Sequence, residues 1–193
     1  MTIPSIIRVA ALVILAAVWS APAAEAQGIK FGPTFASFSS DALDFKTRTG
    51  WHGGIFFGGN RSGIFGLQTE INWIRKNSVT EGVVPQDIRV DYLQVPVLLR
   101  LNAGTDSANG FVVYGIAGPA VSLKIGDEIE GVTIDDSFEG ADVGIVFGGG
   151  VEITRVIIEA RYEKGFRRIN DNFLDTDEIK SQSFTILFGV RFK

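Results

Sequence analysis

The chain has one histidine, His52, flanked by Trp51 and Gly53. A catalytic histidine needs a nucleophile within hydrogen-bond reach. Ser39, Ser40 and Asp41 precede His52, but no serine-containing nucleophile motif accompanies it. More telling are four charges, Glu70, Arg100, Glu159 and Arg161, each set at a polar position of an alternating segment. Equal parity puts all four on one face. If that face is an interior, opposite charges there pair and fill it, because unpaired buried charge is costly. A small proton or ion path is the functional alternative. Two acid-rich stretches could bind calcium through clustered oxygens. One carries Asp127, Glu128, Glu130, Asp135, Asp136 and Glu139, the other Asp171, Asp175, Asp177 and Glu178. Neither has Asp-x-Asp-x-Asp-Gly spacing, so solvated loops are expected and no metal site is assigned. Gly148-Gly149-Gly150 lacks the Lys-Ser or Lys-Thr and the helix of a phosphate loop. It reads as bending, or as room for a large interior side chain opposite.

The elements that carry these residues alternate with period two. From Ser183 onward, Phe184, Ile186, Phe188, Val190 and Phe192 share one face, opposed by Ser183, Thr185, Leu187, Gly189 and Arg191. A strand with one face in lipid and one toward a polar interior needs this pattern. Eight strands follow, over about 28–38, 50–59, 63–76, 88–102, 110–124, 141–153, 156–166 and 181–193, each suited to the ~9–11 residues of a tilted transmembrane strand. Leu67, Ile71, Val95, Val97, Leu99, Ile158, Phe184, Ile186, Phe188 and Val190 are expected to face lipid. Tyr92, Gln94 and Arg100, and likewise Glu159, Arg161 and Glu163, oppose them. The fifth strand is ambiguous, since Val112, Val113, Tyr114 and Ile116 are all apolar or aromatic. The second is weakened by Gly53, Gly54, Gly58 and Gly59.

The connections run long, short, long, moderate, long, short, long. That rhythm fits an up-and-down barrel with both chain ends on the short-turn side. An even strand count closes the sheet without an edge. Trp51 and Trp73 fall near the long-loop ends, Phe65 and Phe192 near the short-turn ends, as two interfacial aromatic belts would.

Residues 1–26 read as a cleaved signal peptide. One positive charge is followed by an apolar run from Val9 to Trp19 and by a small-x-small site, Ala24-Glu25-Ala26. Residues 27–193 then form one domain. No cysteine is present, so no disulfide scaffold and no lipid-modified cysteine is expected. The net charge of −4 carries no nucleic-acid footprint. No later apolar run approaches the ~20 residues of a membrane helix, so any crossing is by strands.

The segment Asp91-Tyr92-Leu93-Gln94-Val95-Pro96-Val97-Leu98-Leu99-Arg100 resembles the Tyr-Leu-x-Ile-Pro-Leu-Leu-Leu-Lys strand of the bacterial outer-membrane β-barrel domain family. Gly115-Ile-Ala-Gly-Pro119 and Gly149-Gly150-Val151-Glu152 are similar to its following strands. Val95 and Val97 stand where Ile and Leu are usual. The family includes small OmpA/OmpX-like barrels, similar to those associated with protein secretion and gliding. The resemblance implies location and fold, but no shared catalytic residues and no cofactor. The expectation is therefore an all-β, eight-stranded, antiparallel, transmembrane barrel in a bacterial outer membrane. Its role would be non-enzymatic, in envelope structure, interaction or secretion. Outer-membrane lipid and lipopolysaccharide would be its partners, the latter through Arg167-Arg168, together with an envelope protein met by the long loops. Eight strands leave too narrow an interior for a general porin. Two rivals remain. A lipocalin-like soluble barrel would turn Phe184, Ile186 and Phe188 inward and leave Glu70, Glu159 and Arg161 solvated. A rim-active enzyme would bring His52 to an acidic or hydroxyl partner.

Overall fold

The structure, a computed structural model, describes residues 27–39, 45–61, 63–80, 87–104, 110–129, 132–133, 141–165 and 180–192. The expected signal segment and Arg167-Arg168 lie outside the described residues. So do Glu130, Asp135, Asp136 and Glu139 and the whole second acidic stretch.

The strands are β1 Gln27–Ser39, β2 Phe45–Gly58, β3 Phe65–Thr80, β4 Asp87–Gly104, β5 Phe111–Ile129, β6 Val132–Thr133, β7 Ala141–Ile153, β8 Val156–Gly165 and β9 Lys180–Arg191. Each long strand pairs antiparallel with the next, and β9 returns to pair with β1. Eight strands thus close on themselves and every edge is used. Closure matters in lipid, where an unpaired edge has no water to satisfy it. The two-residue β6 extends the hairpin above β5 and is an addition to the expected eight. β2 starts at Phe45, earlier than expected, because the hairpin with β3 continues past an irregularity between Arg48 and Trp51. β4 and β5 also run further than expected, pairing as far as Ile88 with Ile129. The connections on that side are correspondingly shorter.

Alternation sorts the side chains. Large apolar groups point outward, including Phe31, Leu67, Leu99, Phe147 and Phe188. The inner face is mixed. Phe56, Leu98, Tyr114, Ile116, Ala120, Val146 and Ile157 form a small apolar cluster inside the barrel. This resolves the ambiguous fifth strand: Val112, Tyr114 and Ile116 point in, and Val113 points out. Glycines make the room. A methyl group on Gly150 would sit 2.7 Å from the Tyr114 hydroxyl, and one on Gly28 would sit 2.4 Å from the Phe56 ring. Gly150, the last of the triplet, therefore leaves room for an interior ring, one of the two structural readings of that segment. The β1–β9 pairing lapses at Gly32 and Pro33, between Phe31↔Phe188 and Thr34↔Thr185. Proline has no N–H to give the ladder.

Candidate functional site

The lumen holds three tiers of polar groups. The middle tier is built from β1, β3 and β8. Lys30 Nζ donates to Glu70 Oε1 at 3.2 Å and to Glu159 Oε2 at 2.8 Å. The Arg161 guanidinium donates to Glu70 Oε2 at 2.6 Å and Oε1 at 2.5 Å, and its Nε donates to Glu159. Gln68 and Asn72, two positions either side of Glu70 on β3, each donate an amide N–H to it. The Tyr114 hydroxyl donates to Glu159 at 2.6 Å. None of Lys30, Glu70, Glu159 and Arg161 is more than 4% exposed. Two cations meet two carboxylates, and most of the remaining donors and acceptors are met as well. That is the condition under which buried charge becomes tolerable.

The lower tier sits at the short-turn end. Arg100 Nη2 donates to Glu152 Oε2 at 2.8 Å. Arg191 reaches the same carboxylate through Nε at 2.6 Å and Nη2 at 3.0 Å. Arg61, in the turn between β2 and β3, brings its Nε to 3.7 Å from Glu152 Oε1. Its two Nη atoms donate to the carbonyls of Thr154 and Gly110, each at 2.6 Å. One side chain thus ties three turns across the barrel mouth. The Arg100 guanidinium also stacks 3.7 Å above the Tyr114 ring, which links this tier to the middle one. The upper tier is lighter. Lys76 and Gln94 share Glu163 at 3.2 Å and 2.8 Å, and the Thr34 and Thr185 hydroxyls pair at 2.8 Å.

The structure brings Glu70, Glu159 and Arg161 together but not Arg100 with them. Alternation fixes a face and leaves height free. In register Arg100 stands opposite Gly66, well toward the turn end from Glu70. Its carboxylate is Glu152. Lys30, Glu152 and Arg191 are members that parity alone could not select. Arg191 stands at an expected inward position, but only the structure shows that it shares a level with Glu152 and Arg100. Lys30 alternates between the outward Ile29 and Phe31, a signal present in the sequence.

His52 is inside the barrel at 3% exposure, not at an outer rim. Its Nε2 has no hydrogen-bond partner, and the carboxylates that act on it, Glu70 and Glu163, are held by Lys30, Arg161 and Lys76. Among the described residues no group of three or more histidine, cysteine or carboxylate side chains could hold a metal.

All ten residues expected on the outer face lie there. Leu67, Ile71, Leu99, Ile158, Phe184, Phe188 and Val190 are exposed, and Val95, Val97 and Ile186 are half-buried by their neighbours. Phe65 and Phe192 are exposed beside the turns. Toward the loops, Trp51 stacks on Phe31 at 5.2 Å, and the Arg75 guanidinium lies 5.0 Å from the Trp73 ring. The soluble-barrel rival is contradicted on both counts. Phe184 and Phe188 point out at 43% and 55% exposure, while Glu70, Glu159 and Arg161 are buried inside.

A closed meander with apolar residues outside and ion pairs within is a small transmembrane β-barrel of a bacterial outer membrane. The chain belongs to the outer membrane protein beta-barrel domain family, whose model matches residues 9–192. Among solved structures it is similar to Neisserial surface protein A, at 15% identity and a TM-score of 0.51, covering 86% of this chain and 97% of that one. The outer membrane protein OprG from Pseudomonas aeruginosa is similar at 14% identity and a TM-score of 0.52, covering 86% and 95%. The outer membrane enzyme PagL aligns at 11% identity and a TM-score of 0.48, over 84% and 98%, and carries no argument about activity. Likeness this remote concerns the barrel alone. No curated protein matches the chain.

Proposed function

We propose that this chain is a sealed, non-enzymatic outer-membrane barrel whose long connections do its work at the cell surface. The observation that carries this is the filled lumen. Buried side chains occupy it at three levels, and each level is fastened by ion pairs that cross between strands which are not neighbours. A path for solute would require several of these pairs to break together. The apolar exterior would meet outer-membrane lipid. Arg167-Arg168, following β8, would meet lipopolysaccharide phosphates, and the loop side would offer an envelope protein its contact. The short-turn end would then face the periplasm. The rim-enzyme reading is less well supported, since His52 is enclosed and the carboxylates that act on it, Glu70 and Glu163, are already held by cations.

Planar-bilayer recording of the refolded protein tests the proposal. A flat baseline across a wide voltage range is expected. Long-lived conductance steps, scaling with protein added, would overturn it.

A further inference from the structure

Among the described residues the lower tier holds more positive charge than negative. Arg61, Arg100 and Arg191 converge on Glu152, the single carboxylate of that tier among the described residues. Among the described residues, every other contact these guanidiniums make is neutral. Arg61 bonds to the carbonyls of Thr154 and Gly110, and Arg191 to those of Gly58 and Gly59. Arg100 bonds to Asn102 Oδ1 and lies on the Tyr114 ring. Carbonyls satisfy N–H donors without cancelling charge, and uncompensated charge away from water is expensive. Two donors are also left over. Arg100 is fully buried and its Nη1 has no hydrogen-bond partner, nor has Arg61 Nε. A half-open cavity is lined by Arg61, Gly63, Ile64, Asn102, Gly104 and Val112, with Arg100 behind it, bonded to the lining residue Asn102. The middle tier, with two cations against two carboxylates, has no such surplus.

We propose that this cavity binds a small oxyanion of the inorganic phosphate type, entering from the short-turn side. The surplus of guanidinium charge attracts it, and Arg61 meets it at the cavity wall. Phosphate suits the site better than chloride. It brings up to two negative charges, and its oxygens accept the forked donors of a guanidinium.

The test uses the full chain refolded in detergent. Inorganic phosphate is titrated at constant ionic strength, with chloride replacing it in the reference, and binding is read by phosphorus NMR and calorimetry. Saturable one-to-one binding is expected, with Arg61→Gln weaker by about tenfold or more, the loss of one charge-assisted contact. Ile64→Glu gives a second reading that keeps Arg61 and its turn contacts. Ile64 is 67% exposed at the cavity edge, so the variant places a carboxylate there without disturbing the barrel, and it too should weaken phosphate. Thr34→Val, in the upper tier, should bind as the parent does. Phosphate and chloride behaving alike in the parent would overturn the proposal. So would an Ile64→Glu variant that binds phosphate unchanged. Neither outcome bears on whether the barrel conducts, so this test and the bilayer test fail independently.

Discussion

The middle and lower tiers of the lumen solve the same problem differently. Both bury arginine in a space only as wide as eight strands allow. In the middle tier each cation has two carboxylates to lean on: Lys30 and Arg161 both touch Glu70 and Glu159. In the lower tier three arginines depend on Glu152, and backbone carbonyls take up the rest of their donors. The first arrangement is redundant and neutral. The second has a single point of failure, and it lies at the end where the turns are tied together.

Removing that point should have the largest effect. Glu152→Gln leaves Arg100 and Arg191 buried without a counter-charge. A broken buried pair costs about 3–5 kcal/mol, and this variant is expected at the upper end. Glu159→Gln should cost less, about 2–3 kcal/mol by the same reasoning, because Glu70 still holds Lys30 and Arg161. Urea unfolding of the two variants in lipid vesicles, beside the parent, makes the comparison. Equal losses would show that the two tiers do not differ in redundancy.

A charge on the outer face tests the barrel from the other side. Ile158 is 44% exposed and sits between Val151 and Phe188 in the sheet. Ile158→Arg should destabilise by about 2–4 kcal/mol if that face lies near the bilayer midplane. The same variant in detergent micelles should lose less, since a micelle lets the side chain reach water. A substitution without effect in vesicles would mean that Ile158 does not meet hydrocarbon.

These expectations draw on a sequence that showed faces plainly and heights poorly. Strict alternation in β9 and β3 placed Phe188 and Leu67 outside and Glu70 inside, because the pleat allows no third choice. The tight turn at Thr154-Arg155 was equally legible from its flanking alternation. Which inward charges meet was not. Pairing across a barrel depends on how far each strand slides against its neighbours, and that stagger is set by turns and irregularities rather than by alternation. Hence parity groups Arg100 with Glu70, whereas the structure pairs it with Glu152. Arg61 was hidden for another reason. It stands in a turn, where alternation says nothing, and it becomes an inward group only because the turn folds over the mouth.

Tyr114 connects the tiers and offers a finer test. Its hydroxyl donates to Glu159 while its ring carries Arg100. Tyr114→Phe keeps the ring and removes one hydrogen bond to a charged acceptor, an expected loss of about 1.5–3 kcal/mol. Combined with Glu159→Gln the losses should be less than additive, since both changes remove the same contact. Full additivity in urea unfolding would mean that the hydroxyl does not serve Glu159.

The smallest effect concerns a pair with no charge at all. Thr34 and Thr185 share one hydrogen bond at 2.8 Å, with exposures of 0% and 4%. Thr34→Val alone leaves the Thr185 hydroxyl buried without its partner and should cost about 1–3 kcal/mol. Adding Thr185→Val removes the orphan and should restore most of that loss, because two valines of nearly the same shape bury no polar atom. The charged tiers cannot be repaired by one further change in this way. Deleting Glu152 strands guanidiniums that still hold Gly58, Gly59, Gly110 and Thr154 in place, so each rescue would cost a turn contact. A double variant no more stable than Thr34→Val alone would remove that distinction between a polar pair that fills space and charges that fasten the barrel end.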